Sequence, residues 1–487
     1  MNKNKFFIIV FLLLFFSCYS GRPSIDRAVS LSPSLILKEK INNYLNSPEL
    51  DPVITGIKII NLKNGEVIFQ ANSKKLLHPA STNKLFTSAA SFYYLKPDFK
   101  FRTKIYIDGL ITEKKLFGNL YIKGDGDPDL KTEHLKKLAE IVYSRIKKID
   151  GDIIADETLF DNLRKSTGWM WDDGPFQWWP PISALTINDN CIKIHILPGG
   201  HIGDPVKFYL EPETKYFKII NRSVTGNQNT LSVERKWMTH ENTIEIKGSY
   251  PLNSPELVEI RTVEEPALYV AQLFREILEK KGVIIRGSVK SGRIPIDGKL
   301  LGFYESKPLK SSIKNFLKTS DNLTGEMLVK KMSSEINHIQ GTTEDGVSLV
   351  KKFLSTEVGL DTTAFNYADG SGVSRYNLVS VSIEIDLLKY IYGHKNLYNL
   401  FLECLPAGGI DLREDSFSES VKGKVFAKPG SITGVSSLAG YVKSRDNEVY
   451  AFSIIMSGFV KSSLIYQNIQ NKIVELIVNF SRNKLTG

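Results

Sequence analysis

Residues 81–95 read STNKLFTSAASFYYL, a small and apolar helical stretch that opens on Ser81-Thr-Asn-Lys84. On a helix, Ser81 and Lys84 face the same way, one turn apart. A serine hydroxyl is a poor nucleophile until a base removes its proton, and a lysine serves as that base only when its amine is partly neutral. Burial and nearby positive charge lower the pKa of a lysine in this way. Alone the pattern is weak, because a capping serine beside a solvated lysine would look the same.

Two further motifs lie far along the chain. Ser320-Asp-Asn322 precedes a helical pattern that carries Leu323 and Met327, and Lys428-Pro-Gly-Ser431 falls on a predicted strand before the final hairpin. Taken singly, a helix N-cap explains the first and a turn explains the second. All three motifs in this order, in one chain, are much more specific than any one of them.

Together the motifs resemble the Ser-x-x-Lys, Ser-x-Asn, Lys-Thr-Gly signature of serine penicillin-recognising enzymes. Ser81 and Ser320 are 239 positions apart, and Ser320 and Lys428 are 108 apart; class A β-lactamases place their second motif much closer to the first. The long gap resembles the class C low-molecular-mass penicillin-binding proteins, D-alanyl-D-alanine carboxypeptidases and endopeptidases with a large insertion. The resemblance covers essentially all of residues 31–480. It includes six further stretches: Gly124–Asp129, Gly168–Asp173, Asn188–Asn190, Asp369–Arg375, Leu405–Gly408 and Gly434–Tyr441.

The resemblance implies the chemistry of a serine peptidase. Ser81 would attack the carbonyl of the penultimate D-Ala of a peptidoglycan stem peptide and form an acyl-enzyme, and Lys84 would take the Ser81 proton. Ser320 would relay a proton to the leaving amine, helped by the Lys428 ammonium, while Asn322 would hold Lys84 and the substrate amide. Water would then hydrolyse the acyl-enzyme, and β-lactams would acylate the same serine. Which group acts as base at each step is disputed among such enzymes.

Substrate contacts are implied in the same way. Lys428, with the Ser431 hydroxyl, would bind the terminal carboxylate of the substrate. The backbone N–H groups of Ser81 and Ser431 would form an oxyanion hole, in a substrate-binding site that also includes Gly430, and each donor would contribute roughly 3–4 kcal/mol.

A pocket for the side chain of the stem peptide is a further implication of the resemblance. The matching positions are Asp156, Phe160 and Arg375, and a free carboxylate or amine on the peptide could pair with Arg375 or Asp156. A structural reading is equally open: Asp156 in a turn and Arg375 in an ion pair within the fold.

Pro429 departs from the signature, which has Thr at this position. Proline has no N–H and is tolerated only at an edge strand or where that N–H would face open space. N–H groups two residues apart along a strand point the same way, so Pro429 would lose a donor on the side where Ser431 donates, toward the cleft. We therefore expect the strand to form and activity to be retained, with altered affinity for substrate or β-lactam as a possible consequence.

The predicted fold is α/β, an antiparallel sheet flanked by helices and split by a large, mainly β insertion. Ser32-Pro33 opens a helix, Asn64-Gly65 joins a hairpin, and a second hairpin and an amphipathic helix end the chain. The predicted domains are a catalytic domain of 31–102 and 311–487, an inserted domain II of 103–125 and 206–310, and a nested domain III of 126–205. Four of the five tryptophans fall within residues 169–179, where they could stack on sugars or pack under a proline-rich loop.

The N-terminus resembles an export signal. Lys3 and Lys5 precede the apolar run Phe6–Phe16, which is too short to span a bilayer and has the length of a signal-peptide core. Residues 1–17 are the predicted signal peptide, and Cys18 is a candidate lipid anchor in a loosely matched lipoprotein box, with ordinary cleavage near Ser20 as the alternative. We expect an exported protein of the periplasm or cell envelope, attached to the membrane if Cys18 is lipidated.

Composition excludes several classes of protein. Apolar residues make up 42% and charged residues 24% of the 487, which excludes a disordered or collagen-like chain. The net charge of +10 comes without a dense basic block, so no nucleic-acid partner is expected. Three cysteines form neither a disulfide framework nor a metal site, and no cofactor or metal is expected.

Two rival functions remain open at the level of sequence. A β-lactamase or esterase on the same fold would also acylate Ser81, but it would release hydrolysed penicillin quickly. A non-catalytic peptidoglycan-binding scaffold is the other rival, for which Pro429 is the only hint. The partners expected on the main reading are peptidoglycan stem peptides and β-lactam antibiotics.

Overall fold

The computed structural model describes residues 32–413 and 416–482. The predicted signal peptide and Cys18 lie outside the described residues. The α-helices of the described part are α1 (Pro33–Leu45), α2 (Lys84–Tyr94), α3 (Thr132–Arg145), α4 (Pro266–Lys280), α5 (Leu309–Thr319), α6 (Asn322–Asn337), α7 (Thr343–Thr356), α8 (Val381–Gly393), α9 (Lys395–Cys404) and α10 (Ser463–Val478). Among them, none combines the length and apolar character needed to cross a membrane.

The strands are short and fall into five sheets. They are β1 (Ile54–Asn61), β2 (Val67–Ala71), β3 (Arg102–Ile107), β4 (Leu110–Thr112), β5 (Lys115–Phe117), β6 (Leu120–Lys123), β7 (Lys148–Ile149), β8 (Ile153–Asp156), β9 (Cys191–Leu197), β10 (Lys207–Glu211), β11 (Lys218–Gly226), β12 (Ser232–Arg235), β13 (Thr243–Pro251), β14 (Leu257–Thr262), β15 (Ile284–Ile285), β16 (Val289–Ser291), β17 (Lys299–Glu305), β18 (Val425–Ile432), β19 (Val435–Lys443) and β20 (Val449–Ser457).

The central sheet joins the two ends of the chain. Its antiparallel order is β18-β19-β20-β1-β2, so strands from residues 54–71 and 425–457 lie side by side. Both predicted hairpins are present, and Gly65 supplies the positive φ of 75° in the first turn. The predicted α/β fold with an antiparallel sheet flanked by helices is confirmed.

Helices cover both faces of this sheet. On one face, Leu37 and Ile41 of α1 pack with Ile473 and Ile477 of α10 over the strands. The other face is covered by α2 and α5–α9, in a second core built around Phe86 and its neighbours. Ser32 caps α1 by accepting the Leu35 N–H, as predicted. The sheet and α2 are therefore held between two apolar layers, which fixes the position of the residues at the start of α2.

The insertion, residues 102–305, contributes the other four sheets. β8 is hydrogen-bonded between β6 and β16, and β9 between β10 and β14. These pairings cross the limits of the predicted nested domain at 125/126 and 205/206, and one hydrophobic cluster includes Ile105 and Leu301 together with Leu138 and Ile194. The division of the insertion into domains II and III stays a prediction. Strand pairing and the hydrophobic core both extend across the predicted limits.

Candidate active site

Ser81 lies on a tight turn at the start of α2. Residues Ala80–Asn83 form a 3₁₀ turn that leads into the helix. Ala80 has a φ of 49°, a strained value for a residue with a Cβ. Beside the nucleophile, the Thr82 hydroxyl donates to the buried Glu384 carboxylate at 2.5 Å. The turn is thus anchored from within the core, with the Ser81 side chain directed to a cavity.

Lys84 is the fully buried partner of Ser81. Its Nζ donates to Ser81 Oγ at 3.0 Å, to Asn322 Oδ1 at 2.7 Å and to the Ser371 carbonyl at 2.6 Å. Burial lowers the pKa of Lys84 to about 8, although nearby carboxylates, Asp369 foremost, act in the opposite direction. The amine is therefore neutral in a useful fraction of molecules near neutral pH, in contact with the hydroxyl that it would deprotonate.

The acylation rate should rise with pH because of this amine. If neutral Lys84 is the base, raising the pH through its pKa of about 8 converts the inactive ammonium into the active form. We expect the second-order rate of Ser81 acylation by a β-lactam to increase roughly tenfold per pH unit between pH 6 and 7 and to level off above about 8. Stopped-flow measurement with a β-lactam that stays ionised throughout checks this, and a flat or falling profile would contradict it.

The second motif brings Asn322 to the lysine. Asp321 is the N-cap of α6: its carboxylate accepts the backbone N–H groups two and three residues further on, at 3.1 and 3.0 Å. Asn322 then accepts from Lys84 with Oδ1 and donates with Nδ2 to the Trp178 carbonyl at 2.7 Å. Ser320 precedes the cap with a φ of 61° and lines the same cavity. The motif therefore caps α6 and at the same time brings Asn322 into contact with Lys84.

The third motif lies on β18, the edge strand of the central sheet. Ala427 donates its N–H to the Pro406 carbonyl at 3.0 Å, on the side of β18 away from β19. Since the backbone alternates with period two, the ring nitrogen of Pro429 and the N–H of Ser431 lie on that same outer side. Pro429 therefore costs the sheet no ladder hydrogen bond, and the expectation that the strand tolerates it is confirmed.

Lys428 is buried but unpaired. Its Nζ has no hydrogen-bond partner within the described residues, and the side chain lines the cavity. Burial, together with the charge of Lys84, holds the pKa of Lys428 well below its usual value. A buried amine without a partner is costly to keep charged, so an anion entering the cavity would provide the missing partner and restore the ammonium form.

Gly430 lets β18 approach the nucleophile turn. A Cβ at this position would lie 2.7 Å from the Ser81 backbone nitrogen and 2.3 Å from Ser437 Oγ. Gly430→Ala would therefore displace the strand from the turn and cover the Ser81 N–H. We expect acylation to slow by about 10²–10³-fold, the usual cost of losing an oxyanion donor.

The acylation rate and melting temperature of Gly430→Ala check this expectation. Gly423→Ala is the matched control, because Gly423 precedes the same strand and an added Cβ there meets nothing within 4 Å; its positive φ of 72° would lower stability but not the acylation rate of the folded protein. Equal acylation rates for Gly430→Ala and the native protein would contradict the assignment.

One cavity of about 550 Å³ collects these groups. Of the residues predicted from sequence, it is lined by Ser81, Ser320, Asn322, Arg375, Lys428, Gly430 and Ser431. Lys84 lies directly behind Ser81 and Asn322. Arg375 Nη1 donates to the Thr433 carbonyl at 3.3 Å, which places its guanidinium beside the end of β18. Ser81 and Ser431, which are 350 positions apart in the sequence, thus meet in one pocket.

Asp156 and Phe160 lie outside this cavity, contrary to the expected substrate pocket. Asp156 is fully buried, and its carboxylate accepts from the Thr158 and Ile294 backbone N–H groups at 3.0 and 2.9 Å. Phe160 packs with Leu323 and Met327 of α6. Both therefore have structural roles: Asp156 closes a turn, and Phe160 supports the helix that carries Asn322.

The cavity also contains residues that the sequence analysis did not place in the active site. Met170, Asp173, Trp178 and Trp179 come from one loop of the insertion. Asp173 belongs to a stretch that carried the family resemblance, but no charge pattern marked it. Burial raises its pKa, and the charge of Arg375, which lines the same cavity, acts in the opposite direction.

Arg413 is a second residue that sequence reasoning missed. It lines the cavity and donates to Asn471 Oδ1 at 2.6 Å and to Gln470 Oε1 at 2.8 Å, both on α10. Burial lowers its pKa to about 10. No motif surrounds it in the sequence, because its position in the pocket depends on the docking of α10.

The described residues contain neither a candidate metal centre nor an activated cysteine. Across residues 32–413 and 416–482, no three His, Cys, Asp or Glu side chains are grouped to hold a metal ion. A larger cavity of about 710 Å³ lies between α3, β9 and α4 and is lined largely by charged side chains such as the Lys131–Asp189 pair. Burial raises the pKa of the Cys191 thiol at its edge, so this sulfur is not an activated nucleophile.

Comparison with known proteins agrees with this geometry. The chain is 33% identical to a D-alanyl-D-alanine carboxypeptidase of Actinomadura sp. (strain R39) over 445 residues, which cover 87% of this chain and 81% of the relative. It is similar in structure to penicillin binding protein 4 (dacB) from Haemophilus influenzae, with a TM-score of 0.81, 25% identity and coverage of 90% of this chain and 99% of the other. A complex of that protein with a β-lactam matches with a TM-score of 0.73 and 26% identity, at the same coverage.

Fold and cavity together define a serine penicillin-recognising enzyme, in which a buried lysine contacts a serine at the start of a helix. Residues 37–480 match the D-Ala-D-Ala carboxypeptidase 3 (S13) family. The chain belongs to this family. The resemblance read from the three motifs is confirmed, while the roles of individual residues stay proposals.

Proposed function

We propose that this protein is a serine D-alanyl-D-alanine carboxypeptidase that hydrolyses peptidoglycan stem peptides through an acyl-enzyme on Ser81. The observation that carries the proposal is the contact of Ser81 Oγ with the buried Lys84 amine at 3.0 Å, in a cavity that also presents Lys428. The reaction needs a nucleophile, a base with a lowered pKa and a group that pairs with a carboxylate. The unpaired amine of Lys428 can fill the third role, because an entering carboxylate would restore its ammonium form.

Acylation begins when neutral Lys84 takes the proton of Ser81. The hydroxyl oxygen attacks the carbonyl carbon of the penultimate D-Ala, and the carbonyl oxygen gains the negative charge of the tetrahedral intermediate. The backbone N–H groups of Ser81 and Ser431, adjacent to Gly430, would stabilise that charge. Ser320 then passes a proton to the leaving amine, and the terminal D-Ala departs.

Substrate orientation comes from the charged and amide groups around the nucleophile. Lys428 would pair with the terminal carboxylate of the peptide, assisted by the Ser431 hydroxyl, and Asn322 would hold both Lys84 and the substrate amide. The carboxylate supplies the anion that the buried Lys428 amine lacks. Binding of a substrate that carries this carboxylate would therefore favour the protonated, positively charged form of Lys428.

The side chain of the third stem-peptide residue would contact the loop of the insertion. Arg375 and Asp173 line the cavity with opposite charges, so together they suit a side chain that carries both a carboxylate and an amine. Arg375 would take the carboxylate. Asp173 replaces Asp156 as the acidic partner, since Asp156 is occupied within the fold.

Arg375→Ala should discriminate between stem peptides. We expect kcat/KM to fall about 10–100-fold for a pentapeptide whose third side chain ends in a carboxylate, and to change little for one whose third side chain lacks it, because a charge-assisted hydrogen bond is lost only in the first case. D-Ala release with both peptides measures this. Arg222→Ala is the control, since Arg222 is exposed and pairs with Glu245 in the insertion. An equal loss for both peptides would contradict the assignment.

Release of D-Ala from a soluble pentapeptide tests the proposed function itself. We expect stoichiometric D-Ala and tetrapeptide, blocked by prior treatment with benzylpenicillin. Release of the cross-linking amine from a D-Ala-linked peptide dimer would add an endopeptidase activity at the same serine. Rapid turnover of benzylpenicillin would instead favour the β-lactamase reading, and the absence of both D-Ala release and penicillin binding would favour a scaffold.

The site of action follows from the substrate. Peptidoglycan lies outside the cytoplasmic membrane, so we propose export directed by residues 1–17 to the periplasm or cell envelope, with lipid attachment through Cys18. The mass of the mature N-terminus tests this: a diacylglyceryl cysteine would establish the anchor, and a free terminus near residue 21 would exclude it.

A further inference from the structure

The tryptophan cluster of residues 169–179 divides into two groups. Trp169 is tied into the fold, where its Nε1 donates to Asp369 Oδ2 at 3.0 Å, and the Trp179 indole nitrogen is buried. By contrast, Trp178 is 53% exposed and lines the catalytic cavity, and Trp171 is 72% exposed. Its ring lies 6.4 Å from that of Trp237, at an interplanar angle of 33°. Packing under the loop therefore explains Trp169 and Trp179 but not Trp171.

The exposed Trp171 and the half-buried Trp237 form the centre of an apolar surface. Their chain neighbours Met170 and Met238 are 45% and 70% exposed. We call these four residues the aromatic platform. Large apolar side chains that cluster at the surface lose the stabilisation of burial, and such clusters commonly mark binding sites. The two rings come from separate segments of the insertion, so the fold brings them together.

The aromatic platform is continuous with the catalytic cavity. Met170 and Asp173 line that cavity on either side of Trp171, and the Met170 N–H donates to Asp173 Oδ2 at 3.0 Å. On the far side, Trp237 and Met238 line a polar cavity of about 370 Å³ that also contains Lys236, Thr239 and Glu241 among its walls. An apolar surface thus lies between the active site and a group of hydrogen-bonding side chains.

We propose that the aromatic platform binds the sugar rings of a peptidoglycan glycan strand, the polysaccharide of N-acetylated amino sugars to which stem peptides are attached. This inference rests on the proposed function, because a stem peptide held in the cavity brings its own glycan strand to the adjacent surface. The C–H face of a pyranose ring stacks on an indole. The hydroxyl and acetamido groups at the edge of the sugar ring would form hydrogen bonds with donors and acceptors in the neighbouring polar cavity. A purely apolar partner would leave those donors and acceptors without hydrogen bonds, so a sugar fits the surface better.

Binding to glycan strands freed of stem peptides tests the proposal. The variants are Trp171→Ala, Trp237→Ala and the double variant, and fluorescence titration or co-sedimentation measures affinity. We expect the native protein to bind the stripped strands and the double variant to bind about tenfold or more weakly, a change of about 1.4 kcal/mol. Phe117→Ala is a matched control: Phe117 is also exposed, with Lys115 over its ring, and lies outside the platform.

Two substrates separate this inference from the proposed function. The double variant should lose activity on glycan-attached pentapeptides while keeping the native kcat/KM on a free pentapeptide. Trp171→Phe and Trp237→Phe should retain most of the affinity, and acylation by benzylpenicillin reports whether each variant is folded. Native protein that fails to bind stripped strands, or equal binding by native and double-variant protein, would overturn the inference. Failure of the native protein to cleave the free pentapeptide would instead count against the proposed function.

Discussion

Replacement of Ser81 by Ala is expected to abolish D-Ala release from a pentapeptide, with a loss on the order of 10⁴–10⁶-fold in kcat. The reason is chemical: the acyl-enzyme forms on Ser81 Oγ, and the cavity offers no other side chain in contact with the Lys84 amine that could take its place. The fold should survive, because the Ser81 hydroxyl makes its hydrogen bond only with Lys84 among the described residues. Continuous assay of D-Ala checks the rate, and thermal unfolding checks the fold.

Ser88→Ala provides the matched control for this variant. Ser88 lies on the same helix, is fully buried, and its hydroxyl has no hydrogen-bond partner in residues 32–413 and 416–482. Its removal should leave both rate and stability near the native values. Substantial D-Ala release by purified Ser81→Ala protein would show that another nucleophile carries the reaction.

Lys84→Met should slow acylation by about 10³-fold while Ser81 stays in place, since general-base catalysis contributes about 10²–10⁴-fold. Lys84→Arg should not restore the rate, because a guanidinium stays protonated and cannot accept the serine proton. The effect on stability should be modest, because the variant removes a buried amine at the same time as it leaves three acceptor oxygens unpaired. Pre-steady-state acylation by benzylpenicillin measures the rate.

Lys330 offers the contrast of a buried lysine without a catalytic role. Its Nζ pairs with the Asp161 carboxylate at 2.5 Å and with the Leu163 carbonyl at 2.7 Å, away from the cavity. Lys330→Met should lower the free energy of unfolding because it leaves Asp161 without its partner, while the acylation rate of the folded protein stays near native. A similar loss of acylation rate in both lysine variants would indicate a structural role for Lys84.

The sequence predicted the central sheet and the three motifs that contain Ser81, Ser320 and Lys428 because local signals marked both. Period-two and helical patterns located the hairpins and the end helices. Each motif also lies in a recognisable local structure: Ser81 on a turn before α2, Ser320 before the Asp321 cap, and Lys428 on an edge strand. These features depend on residues that are close together in the sequence, so local patterns are enough to predict them.

The rest of the site depends on contacts between distant segments. Asp173 and Arg413 reach the cavity because a loop of the insertion and helix α10 dock on either side of it, and no local pattern records that docking. Asp156 and Phe160 were expected in the pocket from the resemblance, but β-sheet pairing and the packing of α6 bury them behind it. The nested domain limits stay a prediction, and β8 and β9 pair with strands that lie outside those limits.

Mass spectrometry of the benzylpenicillin adduct tests the central claim most directly. The native protein is incubated with the antibiotic, its intact mass is recorded, and the modified residue is located by peptide mapping. We predict one adduct per chain, on the peptide that contains Ser81, which persists after removal of free antibiotic and is absent from Ser81→Ala. No adduct, or an adduct on another residue, would contradict the assignment of Ser81 as the acylated nucleophile of this peptidase.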